Sequence, residues 1–440
     1  MRNRMFLKLV VLGVVSIVLM MVLSSIKGLA QERKGRLSEV QCDIASSYAG
    51  TQRIAGPVFA VSFREFWSER LYNKEKDTWY DKEMNRLQTK LFFPETFSYA
   101  GTMGVQERYR GIFKANVFQS EGRVQGQVSF PEVGALAAKK GSRVELVSAQ
   151  ACFLISDLRG ITHVPEFKWN NEALEVSSGS DLDHVGEGIH AKLPAMESLF
   201  GGAVFSFEMG LDVHGMGQLE FVPIGAENQM RLASEWPHPS FVGDFLATER
   251  TISEEGFTAE WNVNGLACSA RQQLESGSGH LQRLGVSLID PVNIYPLTDR
   301  ALKYGFLFIF ITFSAFVLFE MLSGLKIHPV QYGFVGLAQA VFFLLLLSLS
   351  EHLGFGLSYL SASAATIVLI TFYVCHILKG VRRGLSFGGL LALLYGVLFA
   401  LLQSEDHALV AGSALVFGLM TLVMLLTRKV DWYAPGTRQD

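Results

Sequence analysis

Residues 330–349 read VQYGFVGLAQAVFFLLLLSL, a run without one charged side chain. At 1.5 Å rise per residue, about 20 such residues cross the roughly 30 Å of a bilayer's hydrocarbon. Working outward, five further stretches meet the same requirement: Phe6 to Ile26, Tyr304 to Leu322, Leu357 to Ile377, Leu385 to Leu402 and Ala408 to Leu426. A charge, a Pro or a Gly bounds each of them. The composition agrees, because 49% hydrophobic and only 18% charged residues, with a mean hydropathy of +0.27, exclude an ordinary soluble protein. The expectation is a membrane protein with six transmembrane α-helices and a large β-rich extracytoplasmic domain between the first and second.

Orientation is read from the short loops, since Lys and Arg accumulate on the cytoplasmic side. Lys326 follows the second span, Lys379, Arg382 and Arg383 lie between the fourth and fifth, and Arg428 with Lys429 follow the sixth. The alternate loops carry Glu351 with His352, and Glu405 with Asp406. Both termini are therefore expected in the cytoplasm. Lys27, Arg33, Lys34 and Arg36, just after the first span, run against this bias and are outvoted by the later loops. Gly28-Leu29-Ala30 offers small residues to a signal peptidase, but the apolar core from Val10 to Leu23 is longer than a typical cleaved segment. An uncleaved anchor is expected.

The organisation follows. Residues 1–37 hold the cytoplasmic N-terminus, the first helix and a juxtamembrane segment; 38–297 form an extracytoplasmic β-rich domain; 298–427 form a five-helix bundle; and 428–440 are a cytoplasmic tail. Within the domain, Pro57 to Phe63, Gly111 to Phe118, Val144 to Leu154, Ala203 to Met209, Gln218 to Val222 and Phe257 to Val263 read as strands. Gly210, Gly215, Gly217 and Gly225 read as turn punctuation. Ser68 to Leu87 is the best helix candidate, and a subdomain boundary is placed near 165–183, where strand pattern fades.

The net charge of -3 gives no basic footprint and excludes nucleic acid as a partner class. Cys42, Cys152 and Cys268 are well separated, show no metal spacing and admit at most one disulfide. Asp181, Asp183, His184, Glu187 and His190 cluster in a Gly-rich loop, yet match neither a His-Glu-x-x-His helix nor an EF-hand, and read as a solvated acidic loop. No metal or cofactor is expected.

Gly384-Leu385-Ser386-Phe387-Gly388 fits the Gly-x-Ser-x-Gly pattern, but it opens a membrane helix, where small residues serve close packing. Glu320 is the one carboxylate inside an apolar run; it lies near the end of its span, where it reaches water or pairs with Lys326. Trp236-Pro237-His238-Pro239, with Phe241 after it, is a stiff extended segment that either packs an aromatic or presents a docking edge. Arg300 and the Glu351-His352 pair lie at ends expected to share one membrane face, so Arg300 and Glu351 are expected to pair there.

Several strings resemble one known family. These are Glu107 to Phe113; Trp236 to Leu246; Gly256 to Trp261; Leu297 to Tyr304; His328 to Tyr332; Leu344 to Phe355; and Asp431 to Tyr433. In this order they resemble the CreD family of bacterial inner-membrane cell-envelope integrity proteins along nearly the whole chain. Ala247 departs from the proline usual there. The resemblance implies a role in envelope integrity, induced by a two-component stress system and tied to β-lactam response and colicin tolerance, without an established catalytic reaction. The reading is a non-enzymatic protein whose partners are inner-membrane lipid and other envelope proteins or cell-wall components. Its rival is a membrane-embedded enzyme or transporter using Glu320, Ser386 or the Glu351-His352 pair.

Overall fold

The computed structural model describes residues 2–75, 77–180, 187–194, 196–277, 280–288, 294–323 and 327–403, with scattered positions between 410 and 424. The chain forms two compact units, Met1–Leu37 with Val292–Asp440, and Ser38–Pro291. Its helices are α1 (Arg2–Ser47), the short α2 (Met196–Leu199) and α3 (Ala270–Glu275), then α4 (Ile294–Ser323), α5 (Pro329–Leu353), α6 (Phe355–Ile377) and α7 (Val381–Gln403). Among the described residues five helices, α1 and α4 to α7, are long and apolar enough to cross a membrane. The sixth expected span, Ala408 to Leu426, lies largely outside the described residues.

In the helical unit, α1 presents Leu12, Leu19, Leu23, Ile26 and Ala30, all buried, at steps of three, four or seven residues. Val14, Ile17, Val18 and Met21 on its other face are exposed, as a lipid-facing surface requires. Its partners offer small residues. A Cβ at Gly305 of α4 would meet Leu23 at 3.2 Å, and one at Gly336 of α5 would overlap Leu19, so glycine is what lets these helices approach. The Pro329 start of α5 is preset: the His328 side chain accepts from the Val330 N–H, and the Gln331 side chain accepts from the His328 N–H. The helix α1 runs well past Ile26 because Gln31 to Lys34 are good helix formers and Glu32 pairs with Arg36 one turn on, at 2.8 Å.

The second unit is built from β1 (Gln52–Asn73), β2 (Thr78–Phe92), β3 (Thr96–Arg110), β4 (Phe113–Ser129), β5 (Arg143–Ile155), β6 (Phe167–Trp169), β7 (Glu172–Leu174), β8 (Val176–Ser178), β9 (Gly188–Lys192), β10 (Val204–Met216), β11 (Gln218–Phe221), β12 (Glu227–Ser234), β13 (Pro239–Gly243), β14 (Glu249–Ser253), β15 (Gly256–Asn264) and β16 (Leu284–Leu288). One sheet runs β13-β16-β11-β1-β5-β9-β8, with β2 also on β1; the other runs β14-β15-β12-β3-β4-β10-β6-β7. Their inner faces share one core. Phe59 of the first sheet meets Trp169 and Phe207 of the second, and Tyr99 of the second meets Phe221 of the first.

Two sequence expectations are corrected here. Strands from both sides of residues 165–183 enter both sheets and one buried cluster runs from Ile54 to Leu288, so no subdomain boundary falls there. Ser68 to Leu87 is a hairpin rather than a helix. The charges that looked like helical pairs face each other across strands, Glu69 opposite Lys82 and Arg70 opposite Asp81, and Tyr72 packs on Trp79 at 5.2 Å. Gly210 and Gly215 lie within β10, whereas Gly217 takes positive φ (77°) in the turn that follows it.

Candidate functional site

The polar groups of the helical unit gather in two clusters, each joining α1, α4 and α5. In the first, the Lys8 ammonium binds the Glu320 carboxylate, and Tyr332 donates to the same carboxylate at 2.7 Å. The Ile327 N–H donates to Glu320 at 3.2 Å, and its carbonyl accepts from Lys8 at 2.9 Å. Lys8 also stands 5.1 Å from the Tyr332 ring centre, while Phe313 and Phe316 pack edgewise on that ring. The two charged side chains are about one-fifth exposed, so the pair is sheltered but reached by water. Glu320 therefore has Lys8 as its partner; Lys326, the partner expected from sequence, lies outside the described residues.

In the second cluster, Glu351 accepts from Tyr295 at 3.2 Å and faces Arg33 at 3.9 Å. Here the expected Arg300–Glu351 pair is corrected. The continuation of α1 beyond Ile26 brings Arg33 to this end, and Arg33 takes the carboxylate. His352 is exposed, so it and Glu351 do not converge on one point. Between the clusters, buried Gln339 of α5 donates to buried Thr312 of α4.

Ser386 and His376 do not form a dyad. The Ser386 hydroxyl donates to the Arg382 carbonyl at 2.9 Å, and the His376 Nδ1 lies 3.0 Å from the Phe372 carbonyl. A Cβ on Gly384 would overlap Cys375 and one on Gly388 would overlap Thr371, so the two glycines of the motif are the contact of α7 with α6.

In the β unit, the Trp236 indole N–H donates to the His238 carbonyl at 3.0 Å, which closes the Trp-Pro-His-Pro segment on itself. Pro239 then opens β13, and Phe241 packs edgewise on Phe257 and Trp261 at 5.9 and 5.8 Å. His238 is exposed and Trp236 half-buried, so the segment both packs and presents a surface. The polar face of the second sheet bears an open cleft of about 590 Å³. Arg231 and Glu260 face each other there at 2.8 Å, and that contact with Arg231 first among its causes holds the Glu260 carboxyl down at about 2.

Among the described residues no three His, Cys, Asp or Glu side chains group as metal ligands. Asp181, Asp183 and His184 lie outside them; Glu187 precedes β9, and His190 within it meets the Gly179 carbonyl at 2.8 Å. Cys42, Cys152, Cys268 and Cys375 are free thiols.

Several apolar helices and one large β-rich unit in a single chain define a multi-spanning membrane protein with a folded extramembrane domain. A family model described as inner membrane protein CreD matches residues 4–433. The chain belongs to the CreD family. Inner membrane protein CreD of Escherichia coli (strain K12) is 33% identical over 439 residues, covering 98% of this chain and 95% of that one. Among solved structures, an M1 zinc metallopeptidase from Deinococcus radiodurans aligns over 44% of this chain and 42% of its own, at 11% identity and a TM-score of 0.23. A likeness that low carries no argument. Lys8, Tyr332, Tyr295 and Arg33 are the cluster residues that sequence reading missed; for Arg33 the signal was the helix-forming run that carries α1 past the apolar stretch.

Proposed function

We propose that this chain is a non-enzymatic inner-membrane protein that supports cell-envelope integrity under envelope or β-lactam stress. The helix bundle is the anchor, both termini are cytoplasmic, and the β unit lies in the periplasm and contacts other envelope proteins or cell-wall components. Family membership supports the setting. The observation that carries the reading is that the bundle's candidate reactive groups are engaged in holding helices together: Glu320 by Lys8 and Tyr332, Glu351 by Tyr295 and Arg33, and Ser386 by its own helix backbone. A carboxylate committed to three donors is an assembly contact before it is a general base.

The test has two parts. Protein reconstituted in liposomes is assayed for ion flux and for serine-hydrolase labelling, and crosslinkers placed along Trp236 to Phe241 are used in living cells to capture contacts. Labelling at Ser386, or flux lost in Glu320→Gln, would replace the proposal with the enzyme or transporter reading. A reporter fused at Gly201 should give a periplasmic signal, and a cytoplasmic one would overturn the orientation.

A further inference from the structure

We propose that the end of the helical unit carrying Arg33 and Glu351 is a binding site for the phosphate of an anionic lipid headgroup. Five cationic side chains at this end enter the count: Lys27, Arg33, Lys34 and Arg36 on α1, and Lys303 on α4. The acids on the same stretches are Glu32, Asp299 and Glu351, which leaves an excess of positive charge. Two of those acids are spent on exposed pairs one helical turn away, Glu32 with Arg36 at 2.8 Å and Asp299 with Lys303 at 2.9 Å. Such pairs release their cations cheaply to a better ligand. Arg33 holds Glu351 only at 3.9 Å, beyond hydrogen-bond reach.

Depth within the unit points to phosphate. From Lys8 to Lys27 the helix rises about 28 Å at 1.5 Å per residue, close to the hydrocarbon thickness. Lys27 thus stands at the edge of the apolar slab, and Arg33 to Arg36 stand about 9 to 14 Å beyond it, where headgroups lie. On α4, Tyr295 is level with Arg33 because both meet Glu351. Lys303 lies about 12 Å deeper by the same rise, close to the depth of Lys27. A phosphate at this end therefore meets ammonium and guanidinium donors of α1 and the Lys303 ammonium of α4. Either leaflet offers phosphate, so the assignment does not depend on orientation. It also gives a reason for the one stretch of basic residues that defies the charge bias of the loops.

The full chain in detergent micelles is melted with added phosphatidylglycerol, phosphatidylcholine or inorganic phosphate, and the apparent affinity is taken from the shift in midpoint. Phosphatidylglycerol is expected to raise the midpoint, with phosphatidylcholine and inorganic phosphate giving little. Lys27 and Lys34 lie outside every ion pair found among the described residues. The double variant Lys27→Gln/Lys34→Gln should bind phosphatidylglycerol about 30-fold more weakly, at roughly fivefold per Lys. If that variant melts lower without lipid, Lys34→Gln alone, at an exposed position, carries the test with about a fivefold loss. Equal shifts from both lipids, or unchanged affinity in the variants, would overturn the proposal; an equal shift from inorganic phosphate would overturn the lipid source.

Discussion

Replacing Glu320 by Ala should loosen α1 from the bundle. The change leaves the Lys8 ammonium with only the Ile327 carbonyl, and strips the Tyr332 hydroxyl and the Ile327 N–H of their acceptor. Breaking a fully buried pair costs about 3–5 kcal/mol, and each stranded buried donor about 1–3 kcal/mol. Because the charged side chains are 21% and 17% exposed, water recovers part of this, and we expect about 2–4 kcal/mol. Tyr332→Phe removes one hydrogen bond and keeps the ring, so about 1 kcal/mol is expected. Five of the six Trp residues lie in the β unit, so Trp fluorescence would follow the wrong part. The better probe is reactivity of the Cys375 thiol, packed against Gly384, during denaturant titration of a chain whose other cysteines are replaced. Lys8→Met and Glu320→Gln, singly and together, complete a double-mutant cycle whose coupling should exceed about 0.5 kcal/mol. Additive losses, or unfolding midpoints that do not move in Glu320→Ala, would refute the view that this cluster assembles the bundle.

Gly388→Leu should destabilise the bundle by about 1–3 kcal/mol, since its side chain has no room beside Thr371, whereas Ser386→Ala should leave stability and function unchanged; thiol reactivity and an envelope-protection assay read both. Phe241→Ala should cost the β unit about 2–3 kcal/mol by removing its packing on Phe257 and Trp261, measured by thermal melting, while exposed His238→Ala should not; loss of envelope protection in His238→Ala at normal stability would identify a docking edge. Asp157 is held down at about 2, chiefly by hydrogen bonds from Arg159 and also by the Gly50 N–H. A lowered carboxyl stabilises the fold above its ordinary value of 3.8 and loses that contribution as pH falls toward 2, so Asp157→Asn should flatten acid unfolding in that window, by under about 1 kcal/mol for so exposed a group. Tyr99, buried with its hydroxyl 2.9 Å from Ser120, is pushed up to about 12 by burial; its contribution is present below pH 10 and is lost as pH rises toward 12, followed by tyrosinate absorbance.

What the sequence by itself determined is what depends on local composition. Uncharged runs of bilayer length mark the helices, because transfer to lipid is decided residue by residue over about 20 positions. Alternation and β-branched or aromatic content mark β1, β5, β10, β11 and β15, because a strand's inner face reports its own burial. The ordered motifs from Glu107 to Asp431 mark the family. Pairing over long separations was decided only by the tertiary structure. Glu320 meets Lys8 and Glu351 meets Arg33 across some 300 residues, and no local pattern fixes which of several basic residues arrives. Ser68 to Leu87 carried charge spacing compatible with either period; strand register, set by the rest of β1, made those charges cross-strand neighbours. The single core likewise followed from topology, since strands before and after 165–183 alternate between two sheets whose inner faces can be buried only against each other.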